Sequence, residues 1–116
     1  MQQSEFEALV LRLCTDTDLP TALTTLKASE DEEVVQAAQE LTGQFVLAEV
    51  EGEERIYHVT TETNDQGEEE EFFEFVMNKD DDVIRFVAWF FDTQFGLKRK
   101  DVYQAAGKTY QQPKRR

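Results

Sequence analysis

Apolar residues in the N-terminal third of the chain recur at the three- and four-residue spacing of an amphipathic helix. The first such stretch contains Phe6, Leu9, Val10, Leu13 and Cys14. Ser4 and Glu7 have the spacing of a capping box, in which two side chains bond the unpaired backbone N–H groups at a helix start. The pattern therefore predicts a first amphipathic helix that begins near Ser4.

Two further helices are predicted before residue 44. Asp18 and Pro20 favour the start of the second helix, since proline in the first turn lacks only an N–H that has no intrahelical partner. Ser29 and Glu32 repeat the capping-box spacing for the third helix, and Gly43 suits a left-handed helix stop. The apolar faces of these two helices are Ala22, Leu23 and Leu26, and Val34, Ala38 and Leu41.

The pattern changes at Gln44 to segments rich in β-branched and aromatic residues, which are typical of strands. Residues 45–50 and 55–61 flank a polar turn at 51–54 and predict a hairpin. A second polar turn at 64–67 precedes a strand over 71–77, in which alternation predicts that Phe73, Phe75 and Met77 share one face.

Residues 83–95 predict a helix, with acidic N-cap candidates at 78–82 and a stop at Gly96. A buried strand is the alternative for such a short apolar run, and the capping residues and the length favour the helix. A last helix is predicted over 100–110, followed by a frayed basic tail at 111–116. Gly107 weakens the end of that helix.

These elements predict the α+β fold class in a single compact domain over residues 1–110. The expected architecture has three N-terminal helices, a three-stranded antiparallel β-meander, and two C-terminal helices packed on one sheet face. No apolar run is long enough for a membrane span or a signal peptide, so we expect no membrane partner. Cys14 is the single cysteine and has no intrachain disulfide partner, which favours a cytoplasmic location.

Charge is distributed unevenly along the chain. The whole sequence has a net charge of −13 from 25 acidic and 12 basic residues. Residues 1–48 have a net charge of −7, residues 49–82 of −12 and residues 83–116 of +6. Such an acidic protein is a poor general ligand for nucleic acid or anionic membrane, and a basic protein surface is its natural complement.

Glutamates around the first hairpin are the leading candidates for partner binding. They are Glu49, Glu51, Glu53 and Glu54, and Glu68 and Glu69 could extend the same surface. Alternate residues of a strand project to one face, which makes a row of carboxylates possible. The alternative is a solvated hairpin edge whose charge prevents aggregation between sheets.

Trp89 is a second candidate for partner binding. On a helical wheel it falls outside the apolar arc of residues 83–95 and beside Arg85, which precedes it by one turn. Burial of Trp89 under the last helix is one reading. The other is an aromatic anchor at a partner or homodimer interface, flanked by Arg85.

No catalytic, cofactor or metal site is predicted. His58 is the only histidine, and a calcium loop aligned on Gly67 would place Phe73 where the bidentate glutamate is required. Cys14 lies on the apolar stripe of the first helix and is expected to be a buried hydrophobe. Acidic residues are too abundant to single out a catalytic pair, so a small carboxylate enzyme is a lesser alternative.

A basic C-terminal end offers an alternative function. Its cations are Lys98, Arg99, Lys100, Lys108, Lys114, Arg115 and Arg116. With Tyr103 and Tyr110 interleaved, this composition can contact phosphates and stack on bases, so a nucleic-acid-associated protein is the runner-up. The leading hypothesis remains a non-catalytic interaction module, such as an adaptor, inhibitor or assembly chaperone, that docks on a basic partner.

Overall fold

The computed structural model describes residues 2–16, 18–41 and 43–110. The predicted tail at 111–116 lies outside the described residues. The chain divides into a helical unit, residues 1–38 and 82–116, and a sheet unit, residues 39–81. The single domain over residues 1–110 and the packing of the last two helices on the sheet stay predictions.

Within the described ranges, five helices and three strands occur in the predicted order, and the α+β class is confirmed. The elements are α1 (Gln3–Leu13), α2 (Leu19–Lys27), α3 (Glu32–Glu40), β1 (Gln44–Val50), β2 (Glu53–Thr63), β3 (Glu69–Asn78), α4 (Ile84–Phe95) and α5 (Arg99–Ala105).

The predicted capping box of α1 is wrong. The helix begins at Gln3 after an extended Gln2, and the N-cap makes no side-chain hydrogen bond. Ser4 is therefore already inside the first turn. Gln3 Nε2 donates instead to Glu7 Oε1 at 3.1 Å, which engages Glu7 along the helix surface.

Aspartates cap the next two helices. Asp18 Oδ1 accepts from the Thr21 N–H at 2.9 Å, as predicted for the start of α2. The cap of α3 is Asp31 and not Ser29, because Asp31 Oδ1 accepts from the Glu33 and Val34 N–H groups at 2.9 and 3.3 Å. Ser29 Oγ accepts from the Asp31 N–H and so bonds the turn before the helix.

Seven of the first eight residues of helix α4 are buried, and the eighth, Arg85, is partly buried. The buried residues are Ile84, Phe86, Val87, Ala88, Trp89, Phe90 and Phe91. Gly96 ends the helix at φ 67°, as predicted, and the Leu97 N–H donates to the Phe91 carbonyl at 3.2 Å. The Gly96 N–H donates to the Asp92 carbonyl at 3.0 Å, which is the bond of an αL stop, and glycine adopts the left-handed conformation of that stop without strain.

Helix α5 is shorter than predicted and ends at Ala105. Gly107, at φ 70°, terminates the helix, and the Lys108 N–H turns back to the Tyr103 carbonyl at 2.9 Å. Tyr110 therefore lies beyond the helix, and its ring packs against that of Tyr103 at 5.0 Å.

Aromatic side chains form much of the core of the helical unit. Helix α1 contacts α2, α4 and α5, and α4 contacts α5. The Phe6 ring of α1 meets the Phe91 ring of α4 edge to face at 5.1 Å, and Phe91 meets Phe90 in the same way at 5.3 Å. Such edge-to-face pairs add to the hydrophobic gain from burying the rings.

The three strands form an antiparallel meander in the order β1-β2-β3. The β1–β2 turn consists of Glu51 and Gly52, both with positive φ, at 53° and 83°. This is the signature of a type I′ turn, whose twist matches that of the two strands. The β2–β3 turn is organised by Asn64, whose Oδ1 accepts from the Gln66 and Glu68 N–H groups at 2.9 and 3.0 Å.

The predicted common face for Phe73, Phe75 and Met77 is wrong. Phe75 lies opposite Tyr57 and Met77 lies opposite Ile56, so β3 has one extra residue at this point. Such a bulge inverts the alternation of faces beyond it. Met77 is consequently 2% exposed, whereas Phe73 is 61% exposed.

Gly43 is held where its backbone approaches β2 closely. A Cβ on Gly43 would lie 2.0 Å from the Val59 carbonyl oxygen, and the φ of Gly43 is 85°. Gly67 has a similar φ of 80°, and a Cβ there would meet no atom within 4 Å. The two glycines thus separate the effect of backbone conformation from that of close packing.

Replacing Gly43 by alanine should destabilise the protein by more than about 3 kcal/mol, because strain and a backbone clash add. The matched control, Gly67→Ala, should cost about 1 kcal/mol from strain alone. Urea denaturation of both variants measures the two losses. Equal losses would show that the approach of Gly43 to Val59 does not constrain the sheet.

Candidate interaction surface

Most of the net charge belongs to the sheet unit. Residues 39–81 contain 14 acidic and 2 basic residues, for a net charge of −12. The remaining 11 acidic and 10 basic residues give the ranges of the helical unit a net charge of −1, and the two values account for the total of −13. The sheet unit is therefore the main source of negative electrostatic potential on this chain.

The first acidic cluster consists of the predicted Glu49, Glu51, Glu53 and Glu54, which the first hairpin brings together. Glu49 lies directly opposite Glu54 in the strand register. Two cations partly offset this negative charge. Arg55 Nη2 lies 3.4 Å from Glu53 Oε2, and Lys79 Nζ lies 3.3 Å from Glu54 Oε2. Both pairs are solvent-exposed and contribute little to stability.

The second acidic cluster lies around the β2–β3 turn and comprises Glu62, Glu68, Glu69, Glu70 and Glu71. Glu62 lies directly opposite Glu70. Glu70 accepts a hydrogen bond from Asn64 Nδ2 at 2.9 Å. Among the described residues, none of these five glutamates forms an ion pair with a basic side chain.

The two acidic clusters lie at opposite ends of β2. That strand runs from Glu53 to Thr63, a length of roughly 33 Å at ~3.3 Å per residue. Glu68 and Glu69, which we expected to extend the hairpin surface, belong to the far end. The predicted acidic residues thus form two separate patches on one sheet.

Exposed aromatic side chains lie between the two clusters, on β3. Phe72 is 47%, Phe73 61% and Phe75 45% exposed. The Tyr57 ring lies 6.5 Å from that of Phe73 and 5.9 Å from that of Phe75, and the Arg55 guanidinium lies 6.0 Å from the Phe75 ring centre. A hydrogen bond with the Tyr57 hydroxyl is the main cause that raises the pKa of Arg55.

The sequence pattern missed these phenylalanines as surface residues because aromatic residues in a strand usually mark its buried face. The available signal was the presence of acidic residues at both parities of β3. Glu70 and Glu74 share one face with Phe72, while Glu69 and Glu71 share the other with Phe73. A strand with carboxylates on both faces is a poor candidate for burial on either.

Trp89 is buried, with 1% of its surface exposed. Its ring stacks on that of Phe86 with 6.1 Å between centres, and Arg85 is partly buried one turn earlier. Its position outside the apolar arc therefore does not place Trp89 at the surface. An anchor or homodimer role for residues 83–95 stays a prediction that requires this helix to leave its core.

Two of the four described cations of the basic end form ion pairs within the chain. Arg99 Nε pairs with Asp92 at 2.8 Å, and Lys108 pairs with Asp82. Tyr103 is 9% exposed, which leaves little of its ring for stacking on a base. Lys98 and Lys100 are exposed.

The described residues of the helical unit line two grooves among others. One, of about 560 Å³, is lined by residues of α1, by Thr25 of α2 and by the α2–α3 connection, and the other, of about 420 Å³, by residues of α1 and α5 and by Leu97 between α4 and α5. Among the described residues, the carboxyl groups with lowered pKa are Asp18 and Asp82, and neither lines these grooves. A carboxylate enzyme stays a prediction.

The remaining candidate residues occupy ordinary structural positions. Cys14 is partly buried, and burial raises the pKa of its thiol. His58 lies on β2, 8% exposed, with its ring 5.0 Å from that of Phe45. Among residues 2–16, 18–41 and 43–110, no three histidine, cysteine or acidic side chains converge to hold a metal ion.

Comparison of the chain with models of protein families, with curated proteins and with solved structures finds no match. No helix within the described ranges has the length and hydrophobicity needed to cross a membrane.

The ion pair between Lys108 and Asp82 should make the stability of the helical unit depend measurably on pH. The hydrogen bond from Lys108 lowers the pKa of Asp82, and the same bond raises the pKa of Lys108. The lowered pKa of Asp82 stabilises the fold at pH values above the pKa that this carboxyl group has in the unfolded chain. That stabilisation is lost as the pH falls through the pKa of Asp82 in the folded protein. The raised pKa of Lys108 stabilises the fold at pH values below the pKa that this amine has in the unfolded chain. That stabilisation is lost as the pH rises through the pKa of Lys108 in the folded protein.

Lys108→Gln should therefore lower the free energy of unfolding by no more than about 1 kcal/mol near pH 7, since both side chains are more than a third exposed. The deficit should shrink toward pH 2 and toward pH 12. Urea denaturation across that range measures it. A deficit that does not change with pH would mean that the variant loses packing and not the ion pair.

Glu62→Lys should raise the free energy of unfolding by about 0.5 kcal/mol, because it converts a facing Glu–Glu pair into a Lys–Glu pair. The gain should be largely lost in 1 M salt, where the screening length is about 3 Å. Glu30→Lys, an exposed change of equal charge in the helical unit, is the matched control. Equal gains in both variants would attribute the effect to net charge and not to Glu62 facing Glu70.

Proposed function

We propose that the protein is a non-catalytic interaction module, an adaptor, inhibitor or assembly chaperone, whose sheet unit docks on a basic protein surface. The observation that carries this proposal is the pair of facing glutamates at each end of β2. Glu49 opposes Glu54, and Glu62 opposes Glu70. Like charges directly opposite each other destabilise a sheet, so an arrangement that keeps two such pairs needs a reason outside folding.

Edge protection alone does not account for the sign of the charge. Lysine blunts an exposed strand edge at least as well as glutamate, and mixed signs would avoid the repulsion. The sheet unit nevertheless carries 14 acidic residues against 2 basic ones. A selective attraction to positive charge explains the negative sign, because a cation placed between two facing carboxylates offsets their mutual repulsion.

In docking of this kind, the exposed charges mainly increase the rate at which the partner associates and set the orientation in which it docks. Exposed carboxylates steer a basic surface into encounter from beyond contact distance, and this effect weakens steeply with ionic strength. Two acidic clusters roughly 33 Å apart also define an axis along β2 that a partner with a single basic patch would not span. The cytoplasmic location expected from the single cysteine is part of the same proposal.

Nucleic-acid association and carboxylate catalysis remain alternatives without a favouring observation among the described residues. Arg99 and Lys108 are held in ion pairs, and the carboxylates of the sheet unit would repel a polyanion. Nucleic-acid association does not use the facing glutamates, so a test of those residues separates it from docking on a basic protein.

The deciding experiment compares three variants, each with four glutamates changed to glutamine, as baits in nuclease-treated lysate at low and physiological salt. One carries the changes in the first acidic cluster, at Glu49, Glu51, Glu53 and Glu54. A second carries them in the second acidic cluster, at Glu62, Glu68, Glu69 and Glu70. The matched control carries them on exposed residues of the helical unit, at Glu5, Glu7, Glu30 and Glu32.

We expect a basic protein to bind the wild type and the control, and to lose at least about tenfold in affinity for one or both sheet variants once purified. Titration calorimetry on the purified pair measures the change. Equal binding by all four baits would refute the acidic docking surface. Recovery that depends on intact nucleic acid would favour the basic end instead.

A further inference from the structure

Strand β3 is an edge strand with both faces exposed to solvent. It pairs with β2 on one side only in the described sheet. The seven residues from Glu69 to Phe75 are all exposed, and burial begins only at Val76 and Met77. An exposed edge presents a row of backbone N–H and C=O groups that can pair with another strand.

Each face of this exposed segment combines carboxylates with aromatic rings. Glu69, Glu71, Phe73 and Phe75 share one face because they oppose alternate residues of β2 from Thr63 to Tyr57. Glu70, Phe72 and Glu74 share the other face. A strand added beside β3 would therefore meet acids at 69–71, phenylalanines at 72 and 73, an acid at 74 and a phenylalanine at 75.

We propose that β3 captures an extended segment of the basic partner as a fourth strand of the sheet. The segment carries lysine or arginine opposite the glutamates and apolar side chains opposite the phenylalanines. Main-chain hydrogen bonds to the open edge supply affinity, and the alternation of charge and apolar groups sets the register. This inference rests on the proposed function and assigns it a binding mode.

Protection of the edge by charge does not by itself explain the segment. Charged residues suffice to keep an edge soluble, and a protective strand has no need of large apolar side chains. Here three phenylalanines are 45 to 61% exposed within the same seven residues. Burying such rings on binding is worth more than any single exposed ion pair.

A second copy of this chain is a poor occupant of the same edge. Two copies of β3 would each bring Glu69, Glu70, Glu71 and Glu74 to the pairing, and each sheet unit has a net charge of −12. Repulsion between the copies opposes pairing, whereas a basic segment gains from the same charges. The charge of the edge thus selects the partner's chemistry.

The test uses a synthetic peptide, Val-Lys-Val-Val-Lys-Lys-Lys, which matches 75 back to 69 in antiparallel register. Two further peptides of this sequence carry N-methyl groups on either the odd or the even residues. Successive N–H groups of a strand point to opposite edges, so only one of the two methylated sets can face β3. Fluorescence anisotropy of labelled peptides with the full chain measures affinity.

We expect the unmodified peptide and one methylated peptide to bind alike, and the other methylated peptide to bind at least about tenfold more weakly. Phe73→Ser should weaken the unmodified peptide by about tenfold. Leu11→Ser, which changes a 52% exposed apolar residue of α1, should leave it unchanged. The comparison of methylated peptides on the wild-type chain does not depend on how any variant folds.

Equal affinities for the two methylated peptides, or no binding of the unmodified peptide, would overturn strand addition. If all three peptides bind equally and only at low salt, the acidic module survives while its binding mode fails. If the methylated peptides differ but the glutamine baits keep their partner, the proposed docking of the acidic clusters fails instead. Self-association of the wild type that Phe73→Ser abolishes would assign the edge to a second copy and refute a basic occupant.

Discussion

The register between β2 and β3 determines which side chains of the two strands lie opposite each other and which face of the sheet each one occupies. Its shift at Ile56 and Tyr57 inverts the faces of β3 beyond Phe75, so that Met77 is buried while Phe73 stays exposed. The same register sets Glu62 directly against Glu70. Because side chains alternate with a period of two, a register displaced by one residue would move each side chain of β3 to the other face of the sheet.

Aromatic residues of α4 in the helical unit and of β3 in the sheet unit differ in their exposure to solvent. In the helical unit four aromatic residues of α4 are at most 1% exposed: Phe86, Trp89, Phe90 and Phe91. In the sheet unit three phenylalanines of β3 lie at the surface among glutamates. Buried rings contribute to folding, whereas exposed rings contribute only when a partner covers them. The sheet unit is therefore the part of the chain whose surface is best suited to recognition.

Carboxylates act at three levels in this molecule. Asp18 caps α2 by accepting a hydrogen bond from one backbone N–H group, and Asp31 caps α3 by accepting from two. Asp82 bonds the Ile84 N–H at the start of α4 and also pairs with Lys108. The glutamates of the second acidic cluster form no ion pair among the described residues. The charge of this last group is therefore not offset by a basic side chain within the described part of the chain.

The sequence by itself determined the fold class, the order of the elements, the Asp18 cap and the Gly96 stop, because these depend on residues a few positions apart. It also indicated an acidic middle segment. The tertiary structure decided which faces are buried, the bulge that separates Met77 from Phe73, the division of the acids between two ends of β2, and the burial of Trp89. These features depend on pairing between distant segments, and periodicity along one strand or helix carries no information about what lies opposite it.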